Sequence, residues 1–238
     1  MSNIERPRVV SRDEWLAARK QLLAKKKQLT RQRDAVSDER RELPWLKVEK
    51  NYVFDGPDGK ETLADLFQGK NQLIVYHFMF GPEWNEGCPR CSFNMDRTDG
   101  ALVHLAQRDV RFVAISRAPL PKIEAFKKRM GWRFNWVSSY GNDFNYDYHV
   151  SFTKDEMAKG NVYYNFDLNE FPSEEAPGIS VFYKQGTGDI FHTYSTYARG
   201  NDPLIGTYNY LDLVPKGRDE FGLQDAMSWV RHHDRYEG

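Results

Sequence analysis

Cysteine is almost missing from this chain: 238 residues hold only two, too few for a disulfide scaffold. A structural zinc normally needs four ligands, and there is no second Cys pair to supply them. Charge of one sign is missing as well, because 34 Lys and Arg balance 34 Asp and Glu. That balance argues against a protein built mainly to bind nucleic acid or an acidic membrane surface. Long apolar runs are lacking: the longest, residues 73–80 (LIVYHFMF), is far too short to span a bilayer. The opening residues MSNIERPRVV hold no apolar core of a signal peptide. No Gly-x-Gly-x-x-Gly follows a strand pattern, so neither a flavin nor a nicotinamide is expected, and no cofactor at all. Together these absences predict a cytoplasmic protein with no membrane and no nucleic-acid partner. What the chain does have is 40% hydrophobic residues, enough to pack one large domain or a smaller one with an added arm.

Residues 11–43 predict one long helix. Ser11 is the expected N-cap, with Glu14 three residues on completing a capping box, and Pro44 ends the run. Trp15, Leu22, Leu29, Val36 and Leu43 recur every seven residues, while Ala18, Lys25 and Gln32 make a poor second row. Such a one-sided stripe suits lying on a domain or on a second subunit, so a homodimer through this helix is an expectation. The helix carries about four excess positive charges, read as a solvated face or an arm on an acidic neighbour. The expected organisation is therefore a helical arm over 1–45 and a domain over 46–238.

Within that domain, 52–59 reads as a hairpin and 62–67 as a short helix. Residues 73–80 form a buried strand, and a helix runs from the Cys pair to about Gln107. A strand over 110–116, a helix over 120–130 and a short strand over 134–138 follow. Residues 140–178, rich in aromatics and turn formers, form an insertion without assignable elements. Two strands, 179–184 and 189–194, flank Gln185-Gly186-Thr187-Gly188, a hairpin signature, and a last helix is expected over 223–233. Strand–helix alternation closed by a hairpin predicts an α/β fold with a mixed sheet flanked by helices.

The two cysteines lie together as Cys88-Pro89-Arg90-Cys91, between a buried strand and a helix. Pro89 is favourable at the first helical position, which makes Cys88 the N-cap. Its sulfur then faces unpaired backbone N–H groups at the positive end of the helix, and Arg90 adds a charge. Cysteines so placed have pKa values of roughly 3.5–7.5. Cys91, one turn inward, is the expected resolving thiol. No His pair has metal-binding spacing, since His232 and His233 are adjacent, so no metal site is predicted.

The stretches RRELPWLKVEKNYVFDGPDGK, QLIVYHFMFGPEWNEGCPRCSF, ISRAPLPKIEAFKKRMGWRFNWVSSYGNDFNYD and FHTYSTYARG resemble domain-of-unknown-function family 899. The resemblance implies a thioredoxin-like fold and dithiol–disulfide oxidoreductase activity on a protein or small-molecule disulfide, with Cys88 attacking and Cys91 resolving. Thioredoxins usually carry an aromatic residue before the first Cys and Gly-Pro between the two. Here Gly87 precedes, and Pro89-Arg90 intervenes, closer to glutaredoxins and to periplasmic disulfide-introducing oxidases. A second reading is a peroxiredoxin-like thiol peroxidase using Cys88, although Gly81 and Asn85 stand where those proteins have Pro and Thr or Ser. A third is a non-catalytic thioredoxin-fold module that binds a metal or a partner.

Under that fold, Pro177 ahead of Gly178 stands where a cis-proline would face the dithiol. His77, on one strand face with Leu73, Val75 and Met79, is a candidate to accept the Cys91 proton. His192, Tyr194 and Arg199, with Trp84 from the Cys loop, are candidates to shape a pocket for an anionic or aromatic substrate, Arg199 being the anion partner.

Overall fold

The computed structural model describes residues 8–237. The chain forms two compact units, one ending at Pro44 and one beginning at Trp45. The first is helix α1 (Arg12–Arg41), capped by Ser11 and Glu14 in a reciprocal capping box, with Arg40 and Arg41 in the last turn complementing the helix dipole. None of its residues is buried, and Trp15, Leu22, Leu29 and Val36 are all exposed.

The second unit opens with β1 (Leu46–Lys47), then β2 (Val53–Gly56) and β3 (Gly59–Thr62), the expected hairpin. The short helix predicted at 62–67 is a single 3-10 turn, Asp65–Phe67, whose entry is held by the Thr62 and Asp65 side chains. Next come β4 (Gln72–His77), α2 (Pro89–Met95), α3 (Asp99–Gln107), β5 (Val110–Ser116), α4 (Leu120–Arg129) and β6 (Asn135–Ser138). The single helix expected from the Cys pair to Gln107 is thus two. Asp96, at the break, accepts from the Trp132 indole, and Asp99 accepts the backbone N–H groups of Arg133 and Phe134. Such short acidic side chains favour turns and caps over a helix interior.

The insertion holds α5 (Phe144–Asp147), α6 (Lys154–Ala158) and a small hairpin of β7 (Val162–Tyr164) and β8 (Asp167–Asn169). Strands β9 (Gly178–Lys184) and β10 (Ile190–Tyr197) make the predicted hairpin, with a bulge between His192 and Tyr194. A short helix, α7 (Gly206–Leu211), is the last α-helix. The helix predicted over 223–233 is absent: the segment runs through turns into a 3-10 turn at His233–Arg235. Its side chains are anchored on distant partners, Asp225 to Arg90, Trp229 to Glu220 and His232 to the Gly87 carbonyl, and its backbone closes single tight turns instead, the Ser228 N–H donating to the Asp225 carbonyl and the Val230 N–H to that of Met227.

Eight strands form one sheet in the order β1-β10-β9-β4-β5-β6-β2-β3. Strands β4, β5 and β6 are parallel, and β9 is antiparallel to β4. A Cys-bearing strand–helix–strand unit beside an antiparallel hairpin is the thioredoxin-like arrangement. Alternation divides the strand side chains between two cores. Leu73, Val75, Val113, Ile115 and Phe182 face the insertion's Phe144 and Val150. Tyr76, Ala114, Trp136 and Ile179 face Cys91 and the α4 residues Ile123 and Phe126. Both faces are covered, which explains strands with near-continuous apolar runs. Among the described residues, no helix is long and apolar enough to cross a membrane.

Candidate active site

Strand β4 delivers the chain into a loop, residues 78–87, that returns so that the Cys88 N–H donates to the Met79 carbonyl at 3.0 Å. Lys122 on α4 pins this loop by donating to the carbonyls of Pro82 (2.7 Å) and Trp84 (3.2 Å). At Gly87 a Cβ atom would stand 2.6 Å from Phe78 Cε1 and 2.8 Å from Phe126 Cε1. Contacts that close exclude any side chain, which is why no aromatic residue precedes Cys88 here. The Gly87 carbonyl accepts from the buried His232 at 2.8 Å.

Cys88 is the N-cap of α2 with Pro89 at the first helical position, and both cysteines are free thiols. Their surroundings differ. Cys88 is half-buried, and its pKa is lowered to about 7, first by a hydrogen bond from the Cys91 thiol, then by the N–H groups of Cys91 and Arg90 and by the Arg90 charge, all against the cost of burial. Cys91 is buried, and its pKa is pushed well up, first by that burial and then by its neighbour's sulfur. Arg90 is also paired with Asp225, which draws part of its charge away from the sulfur.

The group beside Cys91 is Tyr76. Its hydroxyl donates to the Cys91 sulfur and is itself supported by Asn94, and burial holds the phenol protonated. His77 lies on the opposite face of the sheet, stacked on Phe144 and Tyr148, with its Nε2 2.9 Å from Ser180 Oγ. Burial lowers its pKa to about 3. The period of two that groups His77 with Leu73 and Val75 is the reason it misses the dithiol. Met79 does not continue that face, because the alternation ends where β4 does.

A cavity of about 440 Å³ opens beside the pair, lined by Cys88, Arg90 and Cys91 together with Pro177 and Arg199. The structure therefore brings these five predicted residues together. The bond before Pro177 is trans, not cis. The insertion anchors this stretch, Val150 accepting the Ala176 N–H at 2.9 Å and Tyr164 donating to the Pro177 carbonyl at 2.7 Å, so the intrinsically favoured trans form stands. Arg199 is no unpaired anion partner: its side chain is 88% exposed and reaches Asp202 at 3.2 Å. His192 borders a separate cavity of about 330 Å³ with Tyr52 and Tyr148, its Nε2 2.7 Å from Ser195 Oγ. Tyr194 sits on β10 opposite Val181, and Trp84 packs into the core beneath the loop; neither lines the cavity at the cysteines. Among the described residues, no group of three or more His, Cys, Asp or Glu stands ready to hold a metal ion.

Sequence reasoning missed Tyr76, Asn94, Asn201 and His232. Tyr76 carried a signal, since the alternation that sends His77 to one face sends its neighbour to the other. Asn201 and His232 carried none, being placed by chain segments far from the cysteines.

The chain is similar to peroxidoxin BcpB from Mycobacterium tuberculosis, with 11% identity over 69% of this chain and 95% of that one and a TM-score of 0.46. A Cys-to-Ser variant of PrxQ from Xylella fastidiosa matches at 12% identity over 70% and 94%, with a TM-score of 0.45. A secreted Mycobacterium tuberculosis disulfide oxidoreductase homologous to DsbE of E. coli matches at 18% over 65% and 92%, with a TM-score of 0.36. All three scores lie below 0.5, and the fold assignment rests on the strand order. No curated protein matches the chain. A family model does match, over residues 4–236, and the chain belongs to that family, the bacterial proteins of unknown function called DUF899.

Proposed function

We propose that this chain carries out dithiol–disulfide exchange, with Cys88 as attacking thiol and Cys91 as resolving thiol. The observation that carries this reading is the unequal placement of two neighbouring thiols, Cys88 at the N-cap of α2 on the wall of a cavity and Cys91 buried one turn behind it. Cys88, at a cavity, is shifted toward thiolate at neutral pH, whereas Cys91, buried behind it, stays protonated. Nucleophilic attack needs a thiolate with access, and resolution needs a second thiol that waits until the first is bonded. Once Cys88 is in a mixed disulfide, the Tyr76 hydroxyl stabilises the Cys91 thiolate that attacks next.

The test is thiol trapping of the pure protein across glutathione redox buffers, beside Cys91→Ser and Cys88→Ser. One two-electron midpoint in the wild type, with a mixed disulfide accumulating on Cys88 in Cys91→Ser and none in Cys88→Ser, is the expected result. A pair that stays reduced and unreactive across the range removes the reading.

A further inference from the structure

The cavity at Cys88 is a half-open groove of about 440 Å³, a volume in the range of small-molecule sites. Two segments outside the strand–helix core wall it. The insertion supplies Tyr164, Phe171 and Pro172, and the C-terminal part supplies Ile205 and Met227. These side chains are apolar or aromatic, and both walls are anchored. Tyr164 donates to the Pro177 carbonyl at 2.7 Å and accepts the Ala198 N–H at 2.9 Å, while its ring packs on Phe171 with centroids 5.0 Å apart. Met227 is held through its neighbours in the chain. Asp225 pairs with Arg90, Trp229 stands edge-on to Phe93 of α2 with ring centroids 5.4 Å apart, and His232 donates to the Gly87 carbonyl at 2.8 Å.

Charge in the groove is already paired. The charged lining residues are Arg90, Arg199 and Asp202. Arg90 is paired with Asp225, and Asp202 lies 3.2 Å from both Arg199 and Arg218. An ionic ligand must break one of these pairs or leave its own charge unpaired beside apolar walls, and either costs free energy. The Ala176 N–H and the Pro177 carbonyl are likewise taken, by Val150 and Tyr164, so an extended polypeptide loses two backbone partners at the groove. Apolar surface is what a ligand can still cover, and covering it is favourable in proportion to the area removed from water.

We infer that the groove selects small disulfides with uncharged, apolar substituents, and that Phe171 and Met227, one from each wall, set this preference. This rests on the dithiol reading above. The Cys88 thiolate attacks one ligand sulfur; a Cys88–ligand S–S bond forms, the ligand's own S–S bond breaks, and the departing half leaves as a thiolate that takes a proton from water. The retained half lies along the apolar walls. Cys91 gives its proton to solvent and attacks Cys88 Sγ; the Cys88–Cys91 bond forms, the Cys88–ligand bond breaks, and the retained half leaves as a thiolate that solvent protonates. Two electrons pass from the cysteine pair to the ligand, and a dithiol reductant returns them by the same exchange in reverse.

The experiment is single-turnover reduction, by the prereduced protein, of di-n-butyl disulfide and of diethyl disulfide, whose leaving thiols are chemically alike. Glutathione disulfide, bis(2-hydroxyethyl) disulfide and insulin are run alongside, and each rate is divided by the rate of the same disulfide with dithiothreitol. The butyl probe is expected to react about fourfold faster than the ethyl one: its retained half adds two CH₂ groups, each contributing roughly fourfold when fully buried, and a half-open groove covers about half of that. Glutathione disulfide is expected to be slower than either. Met227→Lys and Phe171→Ser each bring the butyl-to-ethyl ratio toward one, and Met227→Leu, which keeps an apolar wall, holds it. Because the ratio is taken within each protein, a general loss of activity cancels. A wild-type ratio of one, a ratio unchanged in either folded wall variant, or glutathione disulfide or insulin reduced faster than the butyl probe overturns the inference while the dithiol reading stands. Failure with every disulfide, bis(2-hydroxyethyl) disulfide included, overturns the dithiol reading itself.

Discussion

Cys88 and Cys91 differ because one sulfur meets hydrogen-bond donors and a cavity, while the other meets a packed core. The largest single influence on Cys88 is the Cys91 thiol itself. Alkylation of Cys88 should therefore rise with pH through about 7 and level off above it, since the thiolate is the reactive form. Replacing Cys91 with Ala removes that donor, and the midpoint of the alkylation profile should move up by about one unit, as one hydrogen bond to a charged group implies. An unmoved midpoint would assign the shift to the backbone N–H groups and Arg90. Tyr76→Phe tests the other thiol: it should slow resolution of a preformed Cys88 mixed disulfide roughly tenfold, with the Cys88 alkylation profile left where it was. Equal slowing of attack and resolution would mean that Tyr76 only supports packing. The cysteine pair was legible in the sequence because it is contiguous. Its supporting hydroxyl was not, because which strand face meets the helix is settled only when the helix packs.

At the scale of elements, the hairpin of β9 and β10 depends on one small residue. Gly178 pairs with His77 on one side and Tyr197 on the other, and a Cβ there would stand 2.7 Å from Tyr197 Cδ1 and 3.1 Å from Val150 Cγ1. The Tyr197 ring cannot swing away without loss, because its hydroxyl donates to the Tyr148 carbonyl at 3.1 Å. Gly178→Ala should destabilise the fold by about 1–3 kcal/mol, read as a fall of several degrees in Tm; an unchanged Tm would show that the ring relaxes freely. Strands β4, β5 and β9 and helices α1 and α4 followed from periodicity and caps. The 223–233 segment misled because its apolar residues suit a helix face. In the structure Met227, Trp229 and Val230 do share one small core, with Phe93 and Tyr208, but the backbone beneath them closes separate tight turns, and His232 holds the Cys loop.

For the whole molecule, the two compact units meet at Pro44 and Trp45. The second unit holds its own cores and both cysteines, and Trp45 belongs to it, its ring centroid 5.1 Å from that of Tyr183 and 5.8 Å from that of Phe191. A chain lacking residues 1–44 should keep a cooperative thermal transition within a few degrees of the full protein and the same Cys88 alkylation midpoint. A loss of cooperative unfolding would show that the helix completes the domain. The seven-residue stripe, with Trp15, Leu22, Leu29 and Val36 exposed, explains why this helix was legible without any tertiary context. Its cap and heptad spacing are local.

Local chemistry is what the sequence by itself determined: the capped helix, the buried strands, the Cys-Pro-Arg-Cys helix start and the hairpin, each encoded within about ten adjacent residues by periodicity, caps and turn formers. The tertiary structure alone decided what surrounds the sulfurs. Asn201 lines the cavity from a turn more than a hundred residues downstream, and His232 returns from the C-terminal segment to hold Gly87. Burial and the walls of a cavity are properties of packed neighbours, and neighbours distant in the chain leave no local pattern to read.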